Sequence, residues 1–371
     1  MFIRKNEDKN YLILKILFSA FMLFTIASFI MSSIYDMEIN TWFAKGMDNF
    51  SFKIIVWIYE EAGMTQSYLF VFIIVAVWVE IMRIEKRNKL WTGILFVYYI
   101  SWAIFWFTFN ISQIVNTTKI DDGFGVGISG WFLESYSIRQ KILIVLFLIE
   151  TTCFGFAFWY LRFKFSNRKD LIESGYKRDA VKAFVAFAVT SLIVYSMKII
   201  FGRPYFYSVD FENIFNSNAM KPEWAEYWTS YGYTIKSWGL YDPKTGVVSG
   251  VEYLNWWQIN DFFGNIGDLF IPRGSGTAGW WNQDFPSGHM ISCFTMLYAG
   301  YFFFNEKKGR KINWIMWSTL AVWFIHINMM QYTQIVSRTH WISDTSFSIA
   351  MCLLCFVVNG KIIDKIADRH K

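Results

Sequence analysis

The sequence predicts an all-α integral membrane protein: a bundle of about eight transmembrane helices with one long loop on the outer face. Composition is the first ground. Of 371 residues, 54% are hydrophobic and 17% charged, against roughly 45–50% and 25% in soluble domains. Mean hydropathy is +0.28. The second ground is eight apolar runs near the ~20 residues that cross a bilayer: 11–33, 66–84, 90–114, 140–161, 180–202, 289–305, 314–332 and 341–359. The third is charge placement. Twenty-two of the 35 Lys and Arg residues stand before the first run, in every second connection, or after the last run. The positive-inside rule makes that side cytoplasmic, with both termini inside. An odd number of spans would scramble this alternation.

Each element follows in order. Span one lacks a small-residue cleavage site after a short core, so it is expected to stay as an anchor. Basic clusters Arg83–Lys89, Arg162–Lys182 and Lys307–Lys311 fill the inner connections. The outer connections are 34–65, 115–139, 203–288 and 333–340. The third is the longest. It holds all five prolines (Pro204, Pro222, Pro243, Pro272 and Pro286) and many tryptophans, among them Trp224, Trp228, Trp238, Trp256, Trp257, Trp280 and Trp281. It is either an interfacial aromatic cap or a lid that selects a ligand. Cys153, Cys293, Cys352 and Cys355 all lie in apolar runs, as small core residues and not as a disulfide framework. The net charge of +6 is spent on membrane orientation and implies no nucleic acid.

Chemistry concentrates in three segments at the outer face. Phe285-Pro286-Ser287-Gly288-His289 stands where the long loop meets an apolar run. A proline suits the start of a helix. Ser287 and Gly288 then offer a hydroxyl and open N–H groups at the helix's positive end, an anion site. His289 adds a group that carries a proton near neutral pH. The second segment is Ser337-Arg338-Thr339-His340, with Asp344 four residues on. On a helix His340 and Asp344 share a face, where the Asp would fix one imidazole nitrogen and free the other for attack. The third is Lys198, at the outer end of span five, followed by Gly202-Arg203-Pro204. A lone lysine there would snorkel to the interface. Beside two histidines it, Arg203 and Arg338 fit a phosphate whose charge spreads over its oxygens. Of the other histidines, His326 is expected as a hydrogen-bonded core residue and His370 as solvated.

Together these segments resemble the type 2 phosphatidic acid phosphatase superfamily, whose pattern is K-x6-R-P, P-S-G-H and S-R-x5-H-x3-D. The resemblance covers about residues 140–359, a core that follows N-terminal spans in 1–139 and precedes a basic tail at 360–371. Two positions depart from the pattern. Tyr205 and Phe206 stand where the first Arg-Pro belongs, and Thr333 and Gln334 where Ser-Arg belongs. The resemblance implies a membrane hydrolase acting at the outer face on a lipid phosphomonoester or diphosphate, without metal or other cofactor. His340 would be the nucleophile, Asp344 its orienting partner and His289 the proton donor. Lys198, Arg203, Ser287, Gly288 and either Arg338 or Gln334 would hold phosphate. The alternatives are a lipid phosphotransferase built on the same residues, and a transporter or non-catalytic lipid-binding relative.

Overall fold

Apolar sequence leaves the backbone no polar partner in a bilayer but itself, so the spans are helices. The computed structural model describes residues 9–63, 65–116, 136–216, 240–241, 248–260, 262–270, 283–303 and 314–369. Outside them lie Pro222, Pro243 and Pro272, Trp224, Trp228, Trp238, Trp280 and Trp281, the Lys307–Lys311 cluster, His370 and most of 115–139.

The long described helices are α1 (Lys9–Ala44), α2 (Phe50–Ala62), α3 (Thr65–Lys86), α4 (Lys89–Asn116), α5 (Tyr136–Trp159), α6 (Tyr176–Phe201), α7 (Gly288–Ala299), α8 (Trp314–Val336) and α9 (Ile342–Arg369). A ladder of two-residue strands, Leu240–Tyr241 with Val248–Ser249, is the sheet among the described residues. Six segments are long and apolar enough to cross a membrane: Lys9–Met47, Thr65–Lys86, Lys89–Val115, Gln140–Asn167, Tyr176–Asn213 and Ile342–Arg369. This is a multi-pass membrane protein. The expected runs at 289–305 and 314–332 are helical but differ from these six. The first is the 12-residue α7 with a 3-10 turn at Gly300–Phe302. The second is α8, whose apolar course is broken by His326, Asn328, Gln331, Thr333 and Gln334.

Large side chains such as Leu23, Phe24, Phe96, Ile104, Leu148 and Leu192 are exposed on the outside of the bundle, as a lipid-facing surface requires. The core runs through α3, α6, α7, α8 and α9, with Met290, Phe294 and Tyr298 of α7 fully buried. Helix α6 is central and packs on α3, α7 and α9. Its buried face reads Ala183, Ala186, Thr190, Val194, Lys198. Small residues at three- and four-residue spacing let helices approach closely, and that face ends on Lys198.

Helices α6 and α9 are pinned at both ends. At one end Arg178 and Lys182 pair with Asp364 at 3.1 and 2.8 Å. Lys177 reaches Glu85 of α3 there, at 2.5 Å. At the other end Arg203 meets Asp344 at 2.5 Å. The basic connections after α3 and before α6 therefore share one end of the bundle, opposite His289 and His340.

Candidate active site

Three chain reversals build the site. Helix α6 stops at Gly202, in the left-handed region at φ 60°, where glycine carries no Cβ penalty. A Cβ there would also stand 2.7 Å from Asn265. The chain turns at once into Arg203 and Pro204. Helix α7 starts at Gly288 behind Ser287. Helix α8 ends at Val336, and a turn with Arg338 at φ 63° leads through His340 into α9.

These turns bring His289 and His340 together, with ring centroids 5.8 Å apart. His340 is 2% exposed, whereas His289 is half-buried and reachable. Ser287 is fully buried, and its Oγ has no hydrogen-bond partner. Its side chain does not cap α7, so a hydroxyl stands ready for a ligand at the positive helix end. Lys198 lies beside Gly288, where an added Cβ would be 3.8 Å from the lysine Cε. Its Nζ donates to the carbonyls of Gln283 and Asp284, at 2.9 Å for the latter.

The charged partners are arranged differently from the spacing argument. His340 precedes α9, so it and Asp344 do not sit one helical turn apart on a shared face. Their closest approach is 3.8 Å, from Nδ1 to Oδ2. Asp344 is held by Arg203. Asp284 instead lies directly against His340 Nδ1. Burial, and after it Asp344, raise the Asp284 carboxyl well above the usual carboxylate range. The donor atoms of Asp284, His340 and Asp344 lie within 4.8 Å of one another, a spacing that suits a small cation. Lys198 and Arg203 supply positive charge at the same place.

Arg203 is fully buried. Its Nη2 binds Asp36 at 2.8 Å, its Nη1 binds Asp344 and Ser343, and its Nε binds the Leu254 carbonyl at 2.9 Å. It positions carboxylates. Arg338 turns away to Asp210, at 2.8 Å. Gln334 is fully buried, with its Oε1 accepting from Thr339 and its backbone carbonyl from His340 N. It shapes the turn that carries His340. Tyr205 occupies the space beside both functional groups: its ring centroid is 5.7 Å from the His340 ring and 5.8 Å from Lys198 Nζ. His326 stacks on Tyr59 of α2 at 5.6 Å, and its Nε2 makes no hydrogen bond, because α2 covers it.

Four contributors have no motif in the sequence. Asp36 and Asn40 reach in from α1, just after a kink at Tyr35. Asp36 accepts from Ser343 N at 3.2 Å. Asn40 donates to the His340 carbonyl at 2.9 Å and accepts from Ile342 N at 3.1 Å. Asp284 stands two residues before Pro286, the start of the P-S-G-H segment. Gly63, at the end of α2, abuts His289: a Cβ there would stand 2.8 Å from His289 Cδ2. One signal was present, since an ionisable residue such as Asp36 at the end of an apolar run marks a functional partner.

Two variants test this geometry. Gly63→Ala is expected to push the His289 ring and lower turnover at least about tenfold, since roughly 1 Å of misplacement is that costly. Unchanged turnover would mean the ring has room. Asp284→Asn is expected to move the nitrogen resonances of ¹⁵N-labelled His340 more than Asp344→Asn does, because Asp284 lies directly against Nδ1. A larger response to Asp344→Asn would return the orienting role to that residue. Because burial raises the Asp284 pKa, the folded state binds more protons than the unfolded. Its contribution to stability therefore falls as pH rises above about 4 through the raised value, and Asp284→Asn should flatten that slope.

Fold and site thus define a multi-pass helical membrane protein with a two-histidine site built on a lysine, a buried serine and a helix N-terminus. The chain belongs to the PAP2 superfamily, whose family model matches residues 179–365. That membership brings a membrane phosphatase type of activity. The chain is also similar to an uncharacterized protein of Mycoplasma capricolum subsp. capricolum, 24% identical over 363 residues, covering 93% of this chain and 91% of that protein. No solved structure matches.

Proposed function

We propose that this protein cleaves a phosphate ester of a lipid at the outer membrane face through a phosphohistidine on His340. One observation carries the reading: two histidines converge over a helix N-terminus whose buried serine hydroxyl has no protein partner. His340 Nδ1 is occupied by Asp284, so Nε2 attacks phosphorus. His289 gives its proton to the leaving alkoxide and then takes one from water. Ser287 Oγ, the α7 N–H groups at Gly288 and Lys198 stabilise the phosphoryl oxygens as charge develops. Arg203 and Asp344 hold the frame, with Arg338 and Gln334 supporting the turn. A site in the membrane suits a substrate that does not leave the bilayer.

The test is product release from a panel of lipid phosphates by purified protein in detergent, with and without chelator. Release that survives chelator is expected, with histidine and cationic side chains as the machinery. Release lost with chelator and restored by a divalent cation would assign the Asp284–His340–Asp344 trio to a metal ion. No release from any lipid, with or without an acceptor alcohol, would remove the catalytic reading.

A further inference from the structure

The charge of the site points to its substrate. Resting on the phosphohistidine reading above, we infer that the site takes a singly charged lipid phosphodiester, in preference to the doubly charged phosphomonoester or the diphosphate that the motif alone implies.

The argument is a charge inventory of the described residues. Two cations, Lys198 and Arg203, stand among three acidic side chains, Asp36, Asp284 and Asp344. Arg203 is spent between Asp36 and Asp344, at 2.8 and 2.5 Å. Arg338 is spent on Asp210. The two pattern positions that would add arginines hold Tyr205 and Gln334. Asp284 lies buried against His340 and adds no cation for a phosphate. A phosphomonoester brings nearly two negative charges at neutral pH. It would meet Lys198 with no arginine fork beside it, in a buried place where unpaired charge is most costly. A phosphodiester brings one. Lys198, the Ser287 hydroxyl and the α7 N-terminus match one negative charge and two non-bridging oxygens. Where the pattern has a guanidinium, the Tyr205 ring offers an apolar wall suited to the second ester group.

The chemistry balances. The lone pair of His340 Nε2 forms an N–P bond as one P–O ester bond breaks. The departing alkoxide takes the proton of His289 and leaves as an alcohol. Water then attacks phosphorus and gives a proton to His289, and the N–P electrons return to His340. The product is the phosphomonoester of the remaining alcohol. Its extra negative charge faces Asp344, which speeds its release.

The experiment is covalent labelling of the full-length protein in mixed micelles, quenched under alkaline conditions that preserve phosphohistidine. The probes are phosphatidylglycerol, phosphatidylcholine and phosphatidate, each carrying radiophosphorus, with His340→Ala as the blank. The expected result is label from at least one diester, at a rate at least about tenfold above phosphatidate, with the adduct retaining its second ester group. Tyr205→Arg restores a cation at a half-buried position and should shift the ratio toward phosphatidate by about tenfold, the worth of exchanging a neutral for a charged hydrogen bond. Label from phosphatidate as fast as from either diester would overturn the inference and leave the phosphohistidine reading standing. No label from any probe would overturn both.

Discussion

His340→Ala is expected to abolish turnover on every substrate, a loss of about 10⁴-fold or more, because covalent chemistry has no second nucleophile at this position. His289→Ala should behave differently. A proton donor is worth about 10²–10⁴-fold, and that worth depends on how poor the leaving group is. An alkyl ester needs the proton, whereas a nitrophenyl ester leaves well without it. The His289 variant should therefore lose activity on the lipid and keep most of it on the nitrophenyl ester, while the His340 variant loses both. Paired measurements of kcat on the two leaving groups check this. Equal losses for the two variants on both esters would mean that His289 positions substrate and donates no proton.

Arg203→Met carries the second large effect, on stability. The arginine and its two carboxylates, Asp36 and Asp344, are all at most 2% exposed. Removing the cation leaves two buried negative charges, and breaking such a pair costs about 3–5 kcal/mol. The variant should unfold well below the parent in detergent, as read by the thermal midpoint. Adding Asp36→Asn should recover part of the loss, since one orphaned charge then disappears. A double variant no more stable than Arg203→Met would show that Asp36 is not charged in the folded protein. Arg203→Lys is not a conservative alternative, because an ammonium cannot bridge two carboxylates, a hydroxyl and a carbonyl from one planar group.

What could be read from the chain divides along sequence distance. Helical spans were legible because apolar runs act locally, and the shared end of Arg83–Lys89 and Arg162–Lys182 was legible from the positive-inside pattern. The His289 and His340 segments were legible because each concentrates chemistry within a few residues of a helix start. Asp36 and Asn40 were hidden by separations of about 300 residues from their partners. The surroundings of Asp344 differ from the spacing argument for a physical reason: His340 sits before its helix, and a buried arginine holds one oxygen of the carboxylate while the other stays 3.8 Å from His340. Arg338 and Gln334 were both offered for phosphate, and the αL turn between α8 and α9 sends one to Asp210 and the other inward. Helix α2 was part of an outer connection in the sequence, yet it covers His326 and bounds His289.

The contact between α1 and Arg203 has a consequence for biogenesis. Asp36 and Arg203 are separated by 167 residues. At about 5–20 residues per second of synthesis, the carboxylate leaves the ribosome on the order of ten to thirty seconds before its cation. Through that interval it has to stay at the membrane interface, at the end of a span already inserted, and it docks only when α6 and then α9 arrive. The first helix is thus a waiting template onto which the last one closes. A chain cut between α5 and α6 and expressed as two pieces should reassemble in the membrane. That reassembly should fail when either Asp36 or Arg203 is replaced, and persist when the Lys177–Glu85 pair at the opposite end of the bundle is removed.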